Sequence, residues 1–82
     1  MAKTIHDERY KRLVSQLREC RVASGLSQVQ VAERLGVTQS FVSDCENGER
    51  RIDVVEFLDL IKMYGADVCE VLKAAEVEVE HA

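Results

Sequence analysis

The stretch from residue 27 to residue 48, Ser-Gln-Val-Gln-Val-Ala-Glu-Arg-Leu-Gly-Val-Thr-Gln-Ser-Phe-Val-Ser-Asp-Cys-Glu-Asn-Gly, constrains this 82-residue chain more than any other. It holds two segments of helical spacing, each with its own start and stop. Ser27 is an N-cap, since its hydroxyl can accept from a free backbone N–H of the first turn, and Gln30 completes a capping box. Val31 and Leu35 lie four apart, with Ala32 beside them, and make an apolar stripe. Gly36 stands where a helix end takes a left-handed residue. Thr38 is the next N-cap. The second helix is predicted from Gln39 to about Glu46, with Val42 and Cys45 facing inward and Asn47-Gly48 as its stop.

Ala32 is small where two helices would cross closely, and Gly36 follows four later at the corner. Val31, Leu35, Val37, Val42 and Cys45 fill interior slots. This is the pattern of a helix-turn-helix, whose second helix is offered to the DNA major groove. An αα-corner with no ligand would use the same interior residues. Helical spacing sets Gln39, Ser40, Ser43, Asp44 and Asn47 on one polar, short-chained face, as base edges require. Gln39 can bond adenine through N6 and N7, and Ser40 and Ser43 can donate or accept. Gln28, at the start of the preceding helix, is placed to hold a phosphate beside exposed backbone N–H groups. For each of these residues the bland alternative is a solvated surface.

From Leu26 through Gly48 the chain resembles the lambda-repressor-like (Cro/repressor-type, XRE) family of DNA-binding domains. The Ser-Gln opening, the Ala-to-Gly spacing and the Glu-Asn-Gly ending carry the resemblance. It reaches back to Leu17-Arg18-Glu19-Cys20-Arg21 and forward through Leu72. It implies an all-α, five-helix domain binding double-stranded DNA, with base contacts from Gln39, Ser40, Ser43 and Asp44. Thr38, Asn47, Arg50 and Arg51 would join Gln28 in contacting the DNA backbone. It also implies that Arg21 and Glu46 pair across the core; a charge on either inward-leaning face needs a partner. Two positions depart from the family pattern. Asp44 and Glu49 are acidic where relatives often carry basic or amide side chains. A carboxylate near the groove is repelled by phosphates unless it accepts from a cytosine N4. Phe41 fits the family's frequent aromatic, with packing against the fourth helix as its expected role.

The remaining chain reads as further helices. Residues 1–7 are expected to be a flexible N-terminus. The first helix is predicted from Asp7 or Glu8 to Ala23, with Tyr10, Leu13, Val14, Leu17 and Cys20 or Arg21 on one apolar face and Ser24-Gly25 as its end. Asp53 with Glu56 caps a fourth helix, whose Val54, Val55, Phe57, Leu58, Leu60, Ile61 and Tyr64 give a broad face expected to be buried, and Gly65 stops it. Asp67 with Glu70 opens a fifth, carrying Val68, Val71, Leu72 and Ala75. The domain is thus expected over 8–75. Residues 76–82 form an acidic tail that could extend the last helix, pair as an edge strand or be solvated. No proline and only four glycines agree with an all-helical chain.

The net charge of −4 is unevenly spread. Residues 1–25 carry six basic and three acidic groups, residues 26–51 three and four, and residues 52–82 two and eight. Binding to phosphate depends on local potential, but the usual basic footprint is weak here. The acidic last third suits a second reading, an antitoxin-like or other interaction module that takes a basic protein partner. Cys20, Cys45 and Cys69 are far apart and form no Cys-x-x-Cys, so no metal or other cofactor is expected. Cys45 reads as a small buried hydrophobe. His6 and His81 stand near the two ends and no nucleophile–base set is visible, so no enzyme is expected. No apolar run approaches membrane-spanning length and no signal core is present, so the protein is expected to remain in the cytoplasm, away from membranes.

One such unit contacts few base pairs, and a small core is often supplemented by association. A two-fold homodimer reading a palindrome is therefore expected. Its candidate interface is the apolar surplus at Val68, Val71, Leu72, Val77 and Val79. No ligand-sensing or self-cleaving domain is expected in a chain of this length, so control is expected to come through concentration, a partner protein or an operon neighbour.

Overall fold

The computed structural model describes residues 7–76, as five α-helices: α1 Glu8–Ser24, α2 Gln28–Leu35, α3 Gln39–Glu46, α4 Val54–Tyr64 and α5 Val68–Ala75. No strand occurs among the described residues. The flexible segment expected over 1–7 and the tail over 76–82 lie outside the described residues, apart from Asp7 and Glu76. Asp7 is an ordered N-cap rather than part of a frayed end, its carboxylate accepting from the Arg9 N–H at 2.8 Å.

Every helix starts on a side chain that accepts from a first-turn N–H: Asp7, Ser27, Thr38, Asp53 and Asp67. Ser27–Gln30 and Asp53–Glu56 are reciprocal capping boxes. Asp67 accepts from the Glu70 N–H at 3.1 Å. Left-handed glycines end α1, α2 and α4. α3 ends at Asn47-Gly48, as expected, with the left-handed residue one position later than at the ends of α1, α2 and α4. Asn47 keeps a right-handed conformation, and Gly48, at φ +77°, takes the left-handed position. Gly48 N–H then donates to the Cys45 carbonyl, and Glu49 N–H to that of Asp44, which closes the last carbonyls of α3 in a Schellman pattern.

α1 is the axis of the domain, packing against α3, α4 and α5, while α2 packs on α3. Leu17 of α1 meets Val31, Ala32, Val42, Leu60, Ile61, Tyr64 and Val71 in the interior, and Val14 of α1 is buried as well. Val31 has no exposed surface at all. Arg12 Nε donates to the Ala75 carbonyl at 2.7 Å, satisfying an end carbonyl of α5 from α1.

α4 buries less than its sequence suggests. Leu60, Ile61 and Tyr64 are interior and Phe57 packs against them, but Val54 is 71% exposed, Val55 67% and Leu58 49%. Eight apolar positions in eleven, Met63 included, wrap most of a helix surface, and one small core covers only a stripe of it. On α5, Val71 is buried within the chain and Val68 packs against the same core, so neither is a free surface, whereas Leu72 is 45% exposed. Val77 and Val79 lie outside the described residues. No helix among the described residues is long and apolar enough to cross a membrane.

Candidate nucleic-acid interface

The corner between α2 and α3 is made by Gly36 and Val37. Gly36 sits at φ +74°, a conformation costly for other residues. Its turn lets Val37 N–H reach back to the Ala32 carbonyl at 3.0 Å, while the Val37 side chain packs on the core. Thr38 then starts α3, accepting from Phe41 N–H at 3.1 Å. Val42 and Cys45, three apart, point into the core. That orientation fixes the opposite face. Gln39, Ser40 and Asn47 are exposed, and Ser43 and Asp44 are half-buried beside them. Burial of Cys45 pushes its thiol up to about 11, so it is a packing group and not a thiolate at neutral pH.

Beneath this face lies an ion pair. Arg21 of α1 donates from Nε to Glu46 Oε2 at 2.6 Å and from Nη2 to Oε1 at 3.2 Å. A third donation, Nη1 to the Leu26 carbonyl at 2.8 Å, secures the link between α1 and α2. The two side chains are only 11% and 7% exposed. The hydrogen bond to Glu46 holds the Arg21 guanidinium above its ordinary pKa, against the opposing effect of burial.

Gln28 stands on that pair. Its Nε2 donates to Glu46 Oε1 at 2.9 Å, and its Oε1 accepts from Gln39 Nε2 at 3.3 Å. The candidate backbone contact Gln28 and the candidate base contact Gln39 are thus joined to each other and to the buried pair. Spacing in the sequence gave no sign of this, because nothing in separations of 11 residues (Gln28 to Gln39) and 18 (Gln28 to Glu46) encodes which side chains will meet.

The loop after α3 brings Arg50 and Arg51 to the surface, both exposed. The Arg50 guanidinium carbon lies 4.4 Å from the Phe41 ring centroid and that of Arg51 5.4 Å from the Tyr10 ring, cation–π geometry in each case. Phe41 also lines, with Leu60 and Tyr64 of α4, a small apolar gap. Tyr10 holds the loop backbone: its hydroxyl donates to the Arg50 carbonyl at 2.7 Å and accepts from Ile52 N–H at 3.0 Å. Burial raises the Tyr10 hydroxyl above its ordinary pKa, so it keeps the proton it donates. Sequence reasoning gave Tyr10 only a packing role. Its aromatic ring at the apolar edge of α1 was visible, but its 40-residue reach was not. Of the acidic positions, Glu49 is exposed on this loop and Asp44 is half-buried on α3.

Residues 12–81 match the family model described as a helix-turn-helix domain. An XRE-family like protein from Pseudomonas syringae pv. tomato str. DC3000 superposes with a TM-score of 0.78 at 45% identity, covering 92% of each chain. The propionyl-CoA carboxylase regulator of Cereibacter sphaeroides is 38% identical over 64 residues, which is 78% of this chain but only 14% of that protein's length.

Proposed function

The chain belongs to the XRE-type helix-turn-helix family, and from that premise we propose that it is a sequence-specific DNA-binding transcriptional regulator, a dimeric repressor reading a palindromic operator through the major groove. One observation carries the reading. The outward face of α3 is polar and short-chained, and Gln39 on it is linked at 3.3 Å to Gln28 at the N-terminus of α2. A base-reading amide and a phosphate-holding amide need this proximity, because adjacent base edges and phosphates of one groove must be met together. In this reading Gln39, Ser40, Ser43 and Asp44 meet base edges, Asp44 by accepting from a cytosine N4. Gln28, Thr38, Asn47, Arg50 and Arg51 meet the backbone. The bases are read by the protein's own side chains, with no cofactor in the contact. That one relative bears the name of a regulator agrees with the role but does not carry over its target.

The dimer contact we assign to the exposed apolar side of α4, Val54, Val55 and Leu58, with Leu72 as a further candidate. A second copy is the occupant, because α4 follows directly on the loop that borders the reading helix. A two-fold axis there would set two α3 helices side by side on one face of the duplex.

Selection from a random duplex library, at low salt and again at higher salt, tests the reading. An enriched palindrome with half-sites about one helical turn apart is expected. A folded protein that enriches nothing at either salt overturns it. That result would favour the second reading, for which the excess of eight acidic over two basic residues in 52–82 speaks. Capture of a basic protein partner, lost on deleting residues 76–82, would then be the decisive observation.

A further inference from the structure

We infer that Glu46, which has no contact with DNA in the reading above, sets which base Gln39 accepts, by fixing the polarity of the two amides between them. The inference rests on the assignment of Gln39 as a base contact.

The chain of donors runs one way. A carboxylate bonded to a guanidinium offers only acceptors, whereas a primary amide offers two donors on one side and an acceptor on the other. Glu46 Oε1 already takes Arg21 Nη2 at 3.2 Å and takes Gln28 Nε2 at 2.9 Å. Gln28 must therefore turn its NH₂ group inward, and its carbonyl oxygen is left facing Gln39. Gln39 can answer that oxygen only with its own NH₂ group, and does so at 3.3 Å. One N–H of Gln39 is consumed. What remains for the groove is one donor and one acceptor.

That remainder matches one purine. Adenine presents N7 as acceptor and N6 as donor, while guanine presents two acceptors, N7 and O6. A Gln39 held in this polarity bonds adenine with both groups and sets its carbonyl against guanine O6. If the polarity were free, Gln39 could turn its NH₂ toward the groove and suit guanine. Glu46 removes that freedom because it can never donate. Arg21, beneath it, keeps the carboxylate in place from two sides. The second N–H of Gln28 stays available for a phosphate oxygen, so its backbone role is compatible with the relay. Glu46 and Gln28 are in this sense positioning residues for specificity.

The test uses the whole chain and the duplex enriched by selection, varied at the base pair whose preference Gln39→Ala removes. Affinities for A·T and G·C at that pair are compared by fluorescence anisotropy for wild type, Glu46→Gln and Gln28→Met. Wild type is expected to favour adenine by about ten-fold or more, the size of one good bidentate contact. Both variants should shrink that ratio to within about three-fold, with preferences at the other base pairs kept. Glu46→Gln leaves Arg21 without a charged partner, which costs stability; Gln28→Met leaves the ion pair whole and cuts the relay above it, so it decides alone where Glu46→Gln does not fold. Either variant, folded, that retains the wild-type ratio overturns the inference, even when its affinity falls uniformly. Should Gln39→Ala leave every base preference unchanged, the assignment of Gln39 fails, and the relay with it.

Discussion

α3 and α4 both turn an uncovered face outward, and the two faces differ in chemistry. On α3 and its C-cap the exposed positions are Gln39, Ser40 and Asn47; on α4 they include Val54, Val55 and Leu58. Both helices are held by the same kind of anchor, an N-cap and a stripe of two or three interior side chains. A polar face on a short helix costs nothing in water and becomes useful only where hydrogen bonds must be made one by one. An apolar face of three aliphatic side chains is costly in water and gains by being covered. The pair teaches that exposure alone does not mark a site; the chemistry of the exposed face says which kind of partner it suits.

The contrast can be broken most severely from below. Arg21→Ala leaves Glu46 buried without its guanidinium, and removing one partner of a buried pair costs about 3–5 kcal/mol. Urea denaturation should show a loss of that order; a loss under about 1 kcal/mol would mean the pair ties nothing together. A Val55→Glu substitution should act on α4 only. Sedimentation equilibrium is expected to show monomer at concentrations where the proposed wild-type dimer would form, with the fold intact by circular dichroism. Dimerisation unchanged in this variant would move the two-fold contact away from α4. Gln39→Ala, on the other face, should cost about 1–3 kcal/mol at a single base pair and leave dimerisation alone. A smaller effect is expected from Arg51→Ala, which should weaken all sequences alike and lower the salt slope by about one. A sequence-selective loss there would place Arg51 against a base.

The interior beneath both faces has its own signature in pH. Cys45 and Tyr64 are pushed up by burial, from 9.0 to about 11 and from 10.0 to about 12. Their folded pKa values lie above the unfolded ones, so the unfolded chain loses these protons first. The stabilisation is full below about pH 9 and is lost as pH rises through 11 and 12. Chemical denaturation at a series of pH values from 7 upward should show a flat region and then a decline. Cys45→Ala should flatten the first part of that decline.

Much of the fold could be read from local chemistry. Ser27, Thr38, Asp53 and Asp67 announce helix starts, and Gly25, Gly36 and Gly65 announce stops, because capping depends on a few neighbouring atoms; the cap at Asp7 was missed, since its segment reads as a flexible end. Coverage could not be read in the same way. Val71 and Leu72 are adjacent and equally apolar, yet one is interior and the other half outside. Only the path of α1 across α5 separates them. On α4, spacing could not say that the first turn would run past the edge of the core and leave Val54 and Val55 in water. The α3 face was legible in outline, since Val42 and Cys45 fix which residues point away. The bonds within it were not: Gln28 to Glu46, Arg50 on Phe41, and Tyr10 to the loop backbone all join residues whose meeting depends on the assembled fold.

Tyr10 has a consequence for how the loop lives in time. Ile52 lies outside any helix, and an amide in such a place normally exchanges its hydrogen with solvent quickly. Here its N–H is taken by a hydroxyl on α1, so it can exchange only when α1 and the loop part. The Ile52 amide should therefore exchange at a rate set by a subglobal opening, slow beside its loop neighbours. The two arginines at the rim would then be carried by backbone that is already still before any DNA arrives, and less of the ordering entropy is left to be lost at the moment of binding.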